Sequence, residues 1–189
     1  MYKFFVLSLF VSVFTATSVH AERVPKSLIV MLDGARSDVM LMAKTPNFDS
    51  VCNGSWATGY HGAWSLTAHT VKDAPTISGP NHATIATGAT PQKTNIPNND
   101  LYENYNKTNA SATYKNHLTR IKEKYSEKKT AFVFSWKPDE ILASENNPCD
   151  LVVHDSDQNN AKHVPKILDG SYENEHWKKN TDIDAMLYF

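Results

Sequence analysis

Residues Lys26 to Leu32 read Lys-Ser-Leu-Ile-Val-Met-Leu, a continuous apolar run that breaks off at Asp33-Gly34. A strand with one wet face alternates apolar and polar residues, whereas an unbroken run of this length fits a strand buried on both faces, as in parallel sheets. Three more such runs follow: Lys129 to Trp136, Leu151-Val152-Val153, and Ala185 to Phe189. Helical signals lie between them. Ser37 to Met42 reads as a short helix, and Thr45-Pro46 caps and opens another. Pro80 to Thr87 has no internal breaker and stops at Gly88. Thr108 to Lys128 reads as a charged amphipathic helix, Ser55 to Ala68 as one or two strands, and the polar stretch 155–182 as a surface excursion with one short helix. Strands alternating with helices predict a layered α/β fold with flanking helices.

The first residues stand apart. Lys3 precedes an apolar stretch from Phe4 to Phe14, and Val19-His20-Ala21 places small residues at the −3 and −1 positions of a cut after Ala21. That layout predicts a signal peptide over 1–21, a domain over 22–189, and a secreted or periplasmic protein. The apolar stretch is shorter than the ~20 residues of a membrane span, so no membrane association beyond the signal is expected. Lys and Arg number 19 and Asp and Glu 20, a net charge of −1 that argues against a nucleic-acid-binding surface. The two cysteines, Cys52 and Cys149, could pair in an oxidising compartment, but sequence gives no distance between them.

Two positions carry chemistry. Asp33 ends an apolar strand at the carboxyl edge of the predicted sheet, where α/β folds bind ligands, and Gly34 lets the backbone turn sharply there. Asp33 reads either as a metal-binding carboxylate or as a turn aspartate or helix cap. Ser78 lies just before a helix opening at Gly79-Pro80, whose first-turn N–H groups and positive dipole end suit a phosphoryl group. Ser78 reads either as a nucleophile, activated by a metal held at Asp33, or as the cap of that helix. Thr76 is the alternative hydroxyl. The segment His154-Asp155-Ser156-Asp157 reads as a solvated loop.

The pairing of Leu-Ile-Val-Met-Leu-Asp33-Gly with Pro75-Thr-Ile-Ser78-Gly-Pro-Asn-His, followed by Thr87-Gly-Ala-Thr-Pro91, resembles the type I phosphodiesterase/nucleotide pyrophosphatase family of the alkaline phosphatase superfamily. The resemblance runs from about Lys26 to Asn99 and more weakly to Phe189. It implies an alkaline phosphatase-like layered sheet and a zinc-dependent hydrolase of phosphodiesters or nucleotide pyrophosphates working through a covalent phospho-serine. The family's nucleophile position falls on Ser78. Its phosphate-contacting asparagine falls on Asn99, with Asn98 as the neighbouring register. Asp33 and Ser78 become ligands to one of two zinc ions, and the partner is a small phosphate-ester or nucleotide substrate.

Two departures stand out: Ser78 replaces the family's threonine, and Gly79 replaces its aromatic residue. The resemblance places the remaining zinc ligands in an Asp-x-x-x-His loop, an Asp-His pair and a further His, all downstream of a strand like Ala185 to Phe189. None of the chain's histidines falls in such a motif, His82 included. The chain therefore reads as the N-terminal portion of that domain, inactive or nearly so alone. A phosphomonoesterase, phosphonate hydrolase or phosphotransferase of the same fold is the alternative, and a non-catalytic secreted binding protein is a third reading. Trp56, Tyr60, Trp64, Tyr102 and Tyr105 are candidate substrate-stacking residues by proximity in sequence.

Overall fold

A computed structural model describes residues 26–58, 61–63, 75–100, 114–143, 148–174, 177 and 183–189. The predicted signal peptide lies outside them, as do Tyr60, Trp64, Tyr102 and Tyr105. Four strands, β1 (Ser27–Val30), β2 (Thr130–Phe134), β3 (Leu151–His154) and β4 (Ala185–Tyr188), form one sheet in the order β1-β4-β2-β3. Every neighbouring pair is parallel, so each chain return crosses a face of the sheet. The helices are α1 (Ser37–Met42), α2 (Pro46–Cys52), α3 (Ser78–Thr87), α4 (Pro91–Thr94), α5 (His117–Lys124) and α6 (Asp157–Asp169), with a 3-10 helix at Lys137–Ala143. This is the mixed α/β architecture, a parallel sheet with flanking helices, that an alkaline phosphatase-like layered fold requires.

Strand β2 is buried along its whole length and divides the interior. Side chains alternate across a strand, so Phe132 and Phe134 face one layer and Ala131 and Val133 the other. The first layer packs them against Ala83 and Ala86 of α3, Leu118 of α5, and Ile141 and Leu142 of the 3-10 helix. The second sets Ala131 and Val133 against Val164 and Ile167 of α6, with Trp177, Ile183 and Met186. Two buried asparagines lock helices to this core. Asn116 caps α5 by accepting from the Thr119 N–H and donates from its amide to the Leu142 carbonyl. Asn160 of α6 donates to the Phe134 carbonyl at 2.9 Å and the Ser135 hydroxyl at 3.2 Å, bracing the carboxyl end of β2.

Several sequence expectations need correction. Strand β1 is not buried on both faces: it lies at the sheet edge, and Leu28, Ile29 and Val30 are 40, 38 and 46 % exposed. An unbroken apolar run reports hydrophobicity and leaves open which neighbours cover it. The helix expected from Thr108 to Lys128 is confined, among the described residues, to His117–Lys124, because the Asn116 cap starts it late. Residues 55–58 and 61–63 form no strand, and the rest of the Ser55–Ala68 segment lies outside the described residues. The stretch 155–182 contains the 13-residue α6, which supplies one side of the core. His154-Asp155-Ser156-Asp157 is the end of β3 followed by the cap of α6, where the Ser156 side chain accepts from the Asn159 N–H. Cys52 and Cys149 are both free thiols.

Candidate active site

The carboxyl ends of β1, β2 and β4 and the start of α3 surround a cavity of about 750 Å³. Its walls include Asp33, Ser78, His82, Asn99, Trp136 and Phe189. Parallel strands deliver their following residues to one rim, which is why Asp33, Trp136 and Phe189 meet there. Pairing of β1 with β4 continues one residue beyond the strand, where the Met31 N–H donates to the Tyr188 carbonyl at 2.8 Å. Gly34, at φ +70, then takes the left-handed conformation that turns the chain away and leaves the Asp33 carboxylate facing the cavity rim.

Ser78 is the first residue of α3, not its cap; the capping position belongs to Ile77, which makes no side-chain cap bond. The Ser78 hydroxyl donates to Oδ2 of Asp33 at 2.7 Å, joining two segments 45 residues apart. Asn81 braces the approach to the helix, its amide donating to the Pro75 and Ile77 carbonyls at 3.0 and 2.8 Å. Asn99 also reaches this end of α3: its Oδ1 accepts the Gly79 N–H at 2.8 Å. Asp33, Ser78 and Asn99 therefore come together on one cavity. Thr76 is exposed and is not part of the cavity lining. Asn98 is likewise outside the lining.

The expectation of open N–H groups at the start of α3 needs revision. Gly79 N–H is bonded to Asn99, Pro80 has none, and Asn81 N–H bonds back to the Ile77 carbonyl at 3.4 Å. The dipole end remains, but the first-turn donors at 79–81 are occupied or absent, and Asn99 stands in their place beside the cavity.

His82 and Asp139 are part of this centre and escaped the sequence reading. His82 is one helical turn beyond Ser78, on the same face of α3, and only 3 % exposed. Its Nδ1 lies 2.7 Å from Oδ1 of the fully buried Asp139, in the 3-10 helix after β2. Its Nε2 lies 3.9 Å from Oδ2 of Asp33. The ring is held edge-on by Trp136 at 5.6 Å and Phe189 at 5.4 Å between centroids. The i, i+4 spacing of Ser78 and His82 was the available signal for His82. Asp139 had none, because its partner is 57 residues away.

The aromatic wall differs from the sequence expectation. Trp136, Tyr188 and Phe189 line the cavity, whereas Trp56 is 64 % exposed elsewhere. Asp157 also contributes to the lining. Burial, together with the nearby Asp157 carboxylate, pushes the Tyr188 hydroxyl above its ordinary pKa.

Zinc is the cofactor that the resemblance implies, and the donor chemistry here suits it in part. The Asp33 carboxylate and the Ser78 hydroxyl are oxygen donors within hydrogen-bond distance of each other at the cavity. Among the described residues no group of three or more His, Cys, Asp or Glu side chains forms a metal-binding cluster.

A sequence profile described as type I phosphodiesterase / nucleotide pyrophosphatase matches residues 27–185. No curated protein and no solved structure matches the chain.

Proposed function

This chain belongs to the type I phosphodiesterase / nucleotide pyrophosphatase family, a membership that supports a phosphoester hydrolase-type function, and from that premise we propose that Ser78 is its nucleophile. The observation that carries the reading is the 2.7 Å bond from Ser78 Oγ to Asp33 Oδ2, which points the hydroxyl at the carboxylate and away from any capping role.

A serine hydroxyl is a weak nucleophile until something takes up its proton or lowers its pKa. Zinc bound by Asp33 and Ser78 would supply that activation and draw charge from the phosphate oxygens. Ser78 Oγ then forms a bond to phosphorus in line with the departing oxygen, which leaves with the electron pair of the broken P–O bond and takes up a proton. Water cleaves the resulting phospho-serine and restores the hydroxyl. Asn99 orients the phosphoryl group. Its Oδ1 is engaged by Gly79, so its amide N–H groups are the end available to a phosphate oxygen. The dipole of α3 adds favourable charge at the same end.

The substrate class in this reading is a small phosphodiester or nucleotide pyrophosphate. Trp136, Tyr188 and Phe189 offer an apolar wall to its organic part. Export to a secreted or periplasmic location is part of the proposal, supported by the signal-like layout of residues 1–21. Among the described residues no helix is long and apolar enough to cross a membrane.

The test is a chemical trap that does not depend on fast turnover. The zinc-loaded chain is incubated with bis-p-nitrophenyl phosphate, quenched in acid, and mapped by mass spectrometry. A phosphoryl adduct on Ser78, absent from Ser78→Ala, is expected. An adduct on Thr76, or p-nitrophenol release that persists unchanged in Ser78→Ala, would remove the proposal. Running p-nitrophenyl phosphate in parallel separates a diesterase from a monoesterase of the same fold.

A further inference from the structure

His82 is buried beside Ser78, yet the reaction proposed for Ser78 gives it no proton to move. A carboxylate only accepts, so Nδ1 of the ring carries the proton of the 2.7 Å bond to Asp139 Oδ1. Asp139 is fully buried in the 3-10 helix that follows β2, the strand buried along its whole length. A buried pair of this kind is weak evidence for stability, because apolar side chains of similar volume serve a core as well or better. Its place in α3 points elsewhere. Ser78 is the first residue of that helix, in the turn that frays most readily, and Ile77 before it makes no side-chain cap bond. Most side-chain bonds at this end reach chain outside the sheet core. Ser78 bonds to Asp33 in the turn after β1, Gly79 to Asn99 downstream of α4, and Asn81 back to Pro75 and Ile77. Among the described residues, His82 makes the bond at this end that ties α3 to the buried interior beside β2.

We propose that His82 and Asp139 are positioning residues: their bond fixes the first turns of α3 against the carboxyl end of β2 and so sets where the Ser78 hydroxyl stands. The inference rests on the reading of Ser78 as the nucleophile and adds the residues that place it. In-line attack needs reacting atoms about 3–3.5 Å apart with their orbitals aligned, and a misplacement of ~1 Å can cost ~10²-fold in rate. A bond to a carboxylate closed off from solvent holds firmly, because parting the two leaves a buried charge or polar group uncompensated. The bond also has a direction. Trp136 and Phe189 pack against the imidazole at 88° and 67° between ring planes, so the ring is fixed and with it the rotation of α3 about its own axis. Ser78 and His82 share one face of α3, so a helix turned or slid at His82 is displaced at Ser78 as well. Trp136 and Phe189 also line the cavity, and the same ring therefore aligns the nucleophile with the apolar wall facing the substrate's organic part.

Replacing both partners with apolar residues separates position from stability. Removing His82 alone strands the Asp139 carboxylate in the core and is expected to destabilise the whole chain. His82→Leu combined with Asp139→Leu leaves no charge there, and the double variant is expected to unfold in urea at the wild-type midpoint or above it. Both zinc-loaded full chains are incubated with bis-p-nitrophenyl phosphate, quenched in acid at timed intervals, and the adduct on Ser78 is quantified by mass spectrometry. The double variant is expected to form it ~10²-fold more slowly than wild type. Amide hydrogen exchange reads the helix start without any chemistry. The Gly79 N–H, held by Asn99, should exchange at least about tenfold faster in the double variant, while the Ala86 amide in the buried second half of α3 keeps its wild-type protection. Equal adduct rates and equal Gly79 exchange in the two folded chains would overturn the proposal. A double variant that fails to fold assigns the pair to stability and overturns it too. No adduct on Ser78 in the wild type removes the nucleophile reading, and Gly79 exchange then decides by itself whether the pair fixes the helix start.

Discussion

Oδ1 of Asn99 accepts the backbone N–H of Gly79 at 2.8 Å, so one side chain satisfies the helix start and presents its amide end to the same cavity as Ser78. A donor aimed at a phosphate oxygen contributes most where charge develops in the transition state. Asn99→Ala is expected to slow formation of the phosphoryl adduct on Ser78 by ~10²–10³-fold. Asn99→Asp keeps the acceptor for Gly79 but places negative charge beside the phosphate, and should lose as much activity or more while unfolding like wild type. The rate of adduct formation from a p-nitrophenyl diester, paired with urea unfolding, checks both. An equal rate in Asn99→Asp and wild type would remove Asn99 from the site.

Asp150 and Asp184 tie the amino ends of the strands together and should make the fold acid-labile. The Asp150 carboxylate accepts from the Thr130 N–H at 2.8 Å and from Lys122 at 3.0 Å. Burial alone would raise its pKa; the Thr130 and Lys122 bonds outweigh that and hold it below the ordinary carboxylate range. Asp184 is lowered too, where the Lys129 N–H and Lys128 overcome the effect of burial. A carboxylate whose folded pKa is depressed stabilises the fold above its unfolded value and loses that contribution as pH falls through the folded one. Denaturation midpoints should therefore drop steeply below about pH 4. Asp150→Ala should cost about 1–2 kcal/mol at neutral pH and flatten that acid limb.

His117 should add a milder pH dependence in a higher range. Its Nδ1 lies 2.9 Å from the Ala86 carbonyl, joining α5 to α3. Burial lowers its pKa below 6.5, with the Ala86 contact acting in the opposite direction. The unfolded chain then binds its proton first, so stability is full above about pH 6.5 and declines as pH falls through the folded value. The urea midpoint measured at pH 7.5 and again at 5.5 should fall, and by less in His117→Gln. An identical slope in the variant would assign the effect to other groups.

Cys149 should be chemically quiet. Burial, aided by the Asp150 charge, pushes its thiol pKa up to about 12, and a thiol reacts through its thiolate. Native chain treated with iodoacetamide at pH 8 should leave Cys149 unmodified, while chain unfolded in guanidinium is modified there. Peptide mapping of both samples reads this directly, and rapid native labelling of Cys149 would contradict its packing beside the core.

Where the apolar runs stood alone, the sequence was a good guide. The stretches around Thr130–Phe134, Leu151–His154 and Ala185–Tyr188 are strands, and the Asp33-Gly34 and Ser78-Gly79-Pro80 breaks mark the rim where the site lies. Legibility failed where a residue's role is set by a distant partner. The outer face of α6 is rich in Asp, Asn, Lys and His, which hid the stripe of Val164 and Ile167 beneath it. His82 looked like one more histidine because Asp139 comes from another element and Asp33 from a third. The apparent donors of α3 could be counted from sequence, but their occupation by Asn99 could not.

The register of the sheet has a consequence for assembly. Ser27 is aligned with Ala185 and Val30 with Tyr188, so the strand that carries Asp33 is anchored by residues synthesised more than a hundred and fifty positions later. Pairings this remote in sequence form slowly, because the intervening chain must first be brought together. On a ribosome, Ser78 and His82 can sit on a finished helix while their carboxylate partner still waits for its neighbour. Nascent chains interrupted before residue 185 should thus lack the bond between Asp33 and Ser78, which needs β1 anchored on β4.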